Sequence, residues 1–320
     1  MAVPLTAQQL LIEAGTCESK IKPGYSMNPQ TSVLRSRIKD AYLALISLDQ
    51  GLAEEKQVER NLWKYCFHMQ IEELRKHLRT AAKEEKQGKK GSPERHARLK
   101  KYFRNLLRTA KEFYDTMMRV HSQKARIQSN KKANGFATDL LAGHPFTSIP
   151  TYNRQSMFFS LLTCHRSLIY LGDLERYYQS NNVGAPSWEK AKIYYQQALM
   201  LFAGSGNPYN QLAVVACYVN QYLAATHFYF RSLFVKKNAC SNALHNLNVI
   251  LVKNRSLFCE ALQNRIALCL SQPSMNRESL ELFLVALYGW LIAPGLSLSL
   301  YIYINVLDNA FLFRRYKNKT

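Results

Sequence analysis

At 320 residues, 47% of them apolar, the chain can hold one large or two ordinary domains and bury a sizeable core, which excludes a disordered polypeptide. Thirteen Gly and ten Pro are few for this length, and long Leu-, Ala-, Glu-, Lys-, Arg- and Gln-rich segments without strand-like alternation predict an all-α protein. A formal net charge of +21 points toward anionic partners, either phosphate backbones or acidic protein surfaces.

Residues 1–30 are polar, with Pro23, Gly24 and Pro29, and read as a flexible lead-in. A first helical half is expected over 31–154. One helix runs through Leu34, Ile38, Tyr42, Leu45 and Ile46, and a second through Val58, Leu62, Tyr65, Met69 and Leu74. The run Lys83–Pro93 places two glycines and a proline among charges and reads as an exposed loop. Ser92-Pro93-Glu94 then opens an amphipathic helix whose apolar face carries Leu99, Phe103, Leu106, Leu107, Ala110, Phe113, Tyr114 and Met117. The surrounding segment 86–132 holds fifteen Lys or Arg against Glu94, Glu112 and Asp115, more than half of the whole charge excess. From His121 to Arg154 no clear period is visible, so a long polar connection is expected there.

Residues 155–280 form a second half of successive helices with short turns at Asn181–Pro186, Gly204–Pro208 and Lys236–Cys240. Ala191, Tyr194, Tyr195 and Leu199 return as Ala225, Phe228, Tyr229 and Leu233, an offset of 34 residues. That is the period of a tetratricopeptide helical hairpin, in which a small residue lets paired helices approach and an aromatic fills the groove. The last segment, 281–320, has no charge from Leu282 to Leu307, a length sufficient to cross a bilayer. Pro294-Gly295 interrupts it, and a tail packed on the helical array or exposed is the reading preferred over a membrane anchor.

The seven cysteines (Cys17, Cys66, Cys164, Cys217, Cys240, Cys259, Cys269) are scattered without a CxxC pair, and read as reduced thiols of a cytosolic or nuclear protein. There is no phosphate-cradling GxxxxGK[ST] loop, no HExxH, no zinc-spaced Cys/His set and no acidic quartet of a metal-dependent nuclease. Cys66 with His68, and Cys164 with His165, are near neighbours on helices and point different ways, so neither makes a nucleophile and base. No enzyme and no cofactor or metal is expected.

Six segments carry a resemblance: LWKYCFHMQIEELR (62–75), KEFYDTMM (111–118), CHRSLIYLGDLERYY (164–178), YYQQAL (194–199), GNPYNQLAVVA (206–216) and FYFRSL (228–233). Together they resemble the Est/SMG family, the telomerase-activating Est-type proteins and the SMG-type adaptors of nonsense-mediated mRNA decay, and within it the SMG-seven branch. The resemblance implies a 14-3-3-like helical array that continues into tetratricopeptide-like hairpins, with a concave basic groove that accepts phosphoserine on a partner. It implies a phosphorylated, helicase-type decay factor as ligand, an SMG-type hetero-partner, and RNA, telomeric single-stranded DNA or telomerase RNA as an alternative. Cytoplasm and nucleus are the implied compartments.

In that reading Arg176 and Tyr177, the Arg-Tyr pair after Leu-Gly-Asp, contact phosphate; Asp173 and Glu175 nearby could instead hold Arg176 in a structural ion pair. The second cation of the family site is a lysine, where this sequence has His68. An imidazole, with an ordinary pKa of about 6.5, is mostly neutral at cellular pH, so phosphate binding through it weakens as pH rises. Lys64 and Arg75, one turn before and two turns after His68, can substitute for it. Asn210 and Gln211 either orient a bound peptide or cap the helix that follows. For nucleic acid the candidate contacts are Lys100, Lys101, Arg104 and Arg108 on one basic face, with Tyr102 or Phe103 stacking on bases.

Overall fold

The computed structural model describes residues 5–21, 28–89, 91–129, 151–181, 186–235 and 238–253. It is an all-α helical array; among the described residues there is no strand, only an isolated parallel bridge between Ser205 and Asn238. The chain divides into two compact units, Met1–Ala203 and Gly204–Thr320.

The first unit begins earlier than the polar composition of residues 1–30 suggests. Helix α1 (Ala7–Lys20) is closed by a capping box in which Thr6 and Gln9 satisfy each other's end of the helix. Its buried residues Leu10, Ala14 and Cys17 pack on α2 (Pro29–Leu48). The signal was present as Thr6-x-x-Gln9 followed by apolar residues at helical spacing. Short helices α3 (Gln50–Glu55) and α4 (Val58–Trp63) follow, and α4 passes through a π-helical turn at Lys64–His68 into α5 (Met69–Lys86).

Helix α5 turns back into α6 (Ser92–Ser129) through Gly88 and Gly91, both with positive φ, which L side chains rarely adopt. Arg95–Glu84 at 2.9 Å and His96–Glu85 at 2.5 Å tie the two helices together. Helix α6 runs on to Ser129, where a connection from His121 was expected. The reason is His121 itself, which is buried and continues the stripe Ala110, Tyr114, Met117, His121, Ala125 as an apolar position. Helix α7 (Thr151–Gln179) lies against α6 and α8 (Glu189–Leu201) against α7. Arg166 fastens α7 to the short helices, with Glu54 at 2.6 Å through both terminal nitrogens and Glu59 at 3.0 Å. Trp63 stacks on Tyr170 at 4.6 Å, with Tyr114 edge-on, at the centre of the core.

The second unit comprises α9 (Gly206–Tyr218), α10 (Tyr222–Leu233) and α11 (Asn242–Lys253) around Ala213, Ala216, Ala225, Tyr229 and Leu247. The 34-residue echo is visible in burial. Ala191 and Ala225 are fully buried, and Tyr195 and Tyr229 are the buried aromatics of their helices. Among the described residues no helix is long and apolar enough to cross a membrane; the uncharged stretch 282–307 with the rest of 281–320, together with Cys259 and Cys269, lies outside them.

Two buried histidines give the first unit an acid-sensitive core. Burial lowers His121 to about 4, helped by Lys124, and lowers His165 to about 4 despite its hydrogen bond to the Ala198 carbonyl oxygen. A depressed pKa means that the unfolded chain takes up protons first. The stability is therefore fully present above about pH 6.5 and is lost as pH falls toward 4. Each histidine is expected to cost roughly 2 kcal/mol by pH 5. Denaturant melts at pH 7 and pH 5 check this, with His165→Asn reducing the difference; equal stability at the two pH values contradicts it.

Candidate functional site

The Leu-Gly-Asp stretch of α7 is built around Tyr195 of α8. A Cβ at Gly172 would lie 2.4 Å from Tyr195 Cε1, so only glycine lets the fully buried ring cross α7 this closely. The Tyr195 hydroxyl donates to Asp173 Oδ1 at 2.8 Å, and Arg176 Nη2 donates to the same oxygen at 3.2 Å. Arg176 Nε reaches the Tyr195 hydroxyl at 3.4 Å. Burial works against the Arg176 charge, but Tyr195, Asp173 and Tyr177 outweigh it and hold the guanidinium firmly protonated. Glu175 takes no part in this pair; it accepts from Gln179 and faces Lys190 at 3.9 Å.

Arg176 is therefore a buried, paired cation, 7% exposed, and it lies against Tyr177, which is itself buried at 4% exposed. Its Cζ lies 4.7 Å from the centre of the Tyr177 ring, and Arg75 Cζ from α5 lies 4.8 Å from the same centre. Arg75 in turn donates to Glu72 at 2.6 Å, and Glu72 sits 4.0 Å from His68 Nε2. His68, Glu72 and Arg75 thus form one partly exposed row that ends on Tyr177. Lys64 turns elsewhere, toward the Tyr65 hydroxyl at 3.4 Å, within electrostatic reach of the Glu18 carboxyl.

The sequence-predicted residues therefore separate. His68, Tyr177 and Arg176 come together, with Arg75 as the exposed guanidinium of the group. Asn210 is buried and accepts from Asn246 at 3.1 Å, a bond internal to the second unit, beside which Gln211 is half-buried. On α6, Lys101, Arg104 and Arg108 are exposed and Lys100 half-buried. Tyr102 is 41% exposed, whereas Phe103 is 2% exposed and belongs to the core, so it cannot stack on a base.

Cys66 and Cys164 are inert in this setting. Burial pushes Cys66 and Cys164 up to about 12, so a thiolate is not available beside His68 or His165. Among the described residues no group of three or more His, Cys, Asp or Glu could hold a metal ion.

Comparison with known proteins matches residues 57–182 to the family described as telomerase activating protein Est1, and residues 191–295 to the Est1 DNA/RNA binding domain. This chain belongs to the Est/SMG family. The first Est1 match runs from the start of α4 to just beyond Tyr177, and so contains the whole His68–Arg75–Tyr177 row. The chain is 31% identical over 242 residues to nonsense-mediated mRNA decay factor SMG7 of Arabidopsis thaliana, covering 72% of this chain and 22% of that protein. Telomerase-binding protein EST1A of Danio rerio is 27% identical over 201 residues, covering 62% and 12%. Telomere elongation protein est1 of Schizosaccharomyces pombe is 25% identical over 195 residues, covering 58% and 38%. The chain thus spans well under half the length of each of these relatives.

Proposed function

We propose that this Est/SMG chain is a non-catalytic adaptor of nonsense-mediated mRNA decay that reads phosphoserine on a decay factor, working in the cytoplasm and nucleus. The observation that carries the reading is the partly exposed row of His68, Glu72 and Arg75, in which Arg75 rests on the buried Tyr177 ring, braced from beneath by the Arg176–Asp173–Tyr195 cluster. A phosphoserine carries nearly two negative charges and three acceptor oxygens, which suit a planar guanidinium with a second cation. Arg75 supplies the guanidinium and His68 the second cation. Arg176 touches no ligand in this arrangement; it positions Tyr177. The names of the SMG7 relatives, nonsense-mediated mRNA decay factors, support the decay role; a phosphorylated helicase-type factor as ligand and an SMG-type hetero-partner are part of the same proposal.

Glu72 occupies the place between the two cations, so incoming phosphate must take over its bond to Arg75. Arg75→Ala is expected to weaken binding of a phosphoserine peptide by about 1.5–3 kcal/mol, the range for a charge-assisted contact. His68→Ala is expected to cost less. Titration calorimetry on the full chain reads both; unchanged affinity in Arg75→Ala contradicts the site.

The match of residues 191–295 to a DNA/RNA binding domain favours a second reading, contact with RNA or telomeric DNA by that segment. Such binding loses affinity steeply with salt, with a slope near −0.7 per phosphate contact for single strands, whereas a one-phosphate site responds weakly.

A further inference from the structure

Between α6 and the end of α7 lies a shallow open groove lined by Lys100, Phe103, Arg104, Leu107, Tyr178 and Asn181. Its floor is apolar, formed by the buried Phe103 and Leu107, and its wall is the Tyr178 ring, 39% exposed. Tyr178 follows Tyr177 directly but points away from it, as neighbours on a helix do. The groove is therefore distinct from the His68–Arg75–Tyr177 row.

The rim carries unbalanced charge. No acidic residue occurs between Arg95 and Lys111. The cations at the two ends of that stretch are neutralised, Arg95 by Glu84 at 2.9 Å and Lys111 by Asp115 at 2.6 Å. Lys100, Arg104 and Arg108 between them make no ion pair with any described residue. They recur every fourth position, which spaces them about 6 Å apart along the helix. Like charges at that interval repel and destabilise the helix that bears them.

We propose that this groove docks an extended acidic segment of a partner protein, with one apolar side chain against the exposed Tyr178 ring and its carboxylates on Lys100, Arg104 and Arg108. The spacing selects this occupant. An extended chain presents side chains of one face about 6.6 Å apart, close to the step of the cationic row, and the exposed Tyr178 ring gives an anchor residue its contact. A single-stranded nucleic acid instead needs successive aromatic platforms, and Tyr178 is the sole exposed aromatic among the groove's lining residues. The proposal does not depend on phosphoserine reading at His68 and Arg75.

The test is fluorescence anisotropy on the full chain with a labelled peptide that has Glu at alternate positions and one central Phe. Wild-type protein is expected to bind it, with affinity falling as salt rises. Arg104→Glu is expected to weaken binding about tenfold, the loss of one charge-assisted contact. Tyr178→Ala weakens it several-fold and Tyr178→Phe leaves it intact. Lys100→Glu combined with Arg104→Glu is expected to reject the acidic peptide and accept its Lys-for-Glu counterpart, a gain that an unfolded variant cannot show. Three results overturn the proposal: no binding of the acidic peptide to the wild type, binding indifferent to Arg104→Glu, or tighter binding of a single-stranded oligonucleotide through the same residues.

Discussion

Asp173→Ala is expected to lower the unfolding free energy of the first unit by about 3–5 kcal/mol, the range for breaking a buried ion pair by removing one partner. Arg176 then remains beneath the surface with its charge and without its carboxylate, and the Tyr195 hydroxyl loses its acceptor as well. Asp173→Asn keeps an acceptor for Tyr195 and should cost less. Equilibrium denaturation of the two variants separates lost charge from lost hydrogen bond. Near-wild-type stability in Asp173→Ala contradicts the cluster as the brace of Tyr177. A consequence follows for binding experiments: Arg176→Glu places two carboxylates in one buried site, so a loss of binding there reports unfolding as much as contact. Arg75, partly exposed and on another helix, is the residue whose removal reports on the site itself.

Gly206→Ala is expected to destabilise the second unit by about 3 kcal/mol or more, the upper range for forcing atoms into a packed site. A Cβ there meets backbone on all sides: Ser232 O at 2.6 Å, Cys240 N at 2.7 Å and Asn238 O at 2.8 Å. None of these can swing aside as a side chain end could. The same glycine donates its N–H to Asn238 O at 2.8 Å and accepts from the buried Ser232 hydroxyl at 2.7 Å. Gly172→Ala in the first unit drives a methyl into the Tyr195 ring and is expected to cost about 2–3 kcal/mol. By contrast Gly88, which has open space around it, resists substitution only through its positive φ, at roughly 1 kcal/mol. Thermal melts of the three variants should rank them in that order.

Helical periodicity made the core legible before any coordinates. Phe103, Leu107, Ala110 and Tyr114 are buried as their spacing demands, and Ala191 with Tyr195 returns in Ala225 with Tyr229. Two failures have the same physical origin, since polar residue types were read as exposed. His121 is a neutral imidazole in an apolar stripe, and α1 hides Leu10, Ala14 and Cys17 among polar neighbours. The candidate site was legible in part. Sequence spacing put His68 and Arg75 on one helix, and motif resemblance drew attention to Arg176 and Tyr177. Linear order offered Asp173 as a partner for Arg176 but could not show Tyr195 in the cluster, because Tyr195 arrives from the next helix. Nor could it show that Arg75 comes to Tyr177 from across the unit, or that a π-helical turn covers Lys64–His68. The groove beside Tyr178 was invisible for the same reason, being made by two helices distant in the chain.

The central claim is that the His68–Arg75–Tyr177 row reads a phosphate, and it is tested most directly by calorimetry of one serine peptide in phosphorylated and unphosphorylated form against the full chain. The account predicts binding of the phosphorylated peptide alone, with a shallow dependence on salt. Equal binding of the two peptides, or binding of neither, contradicts it.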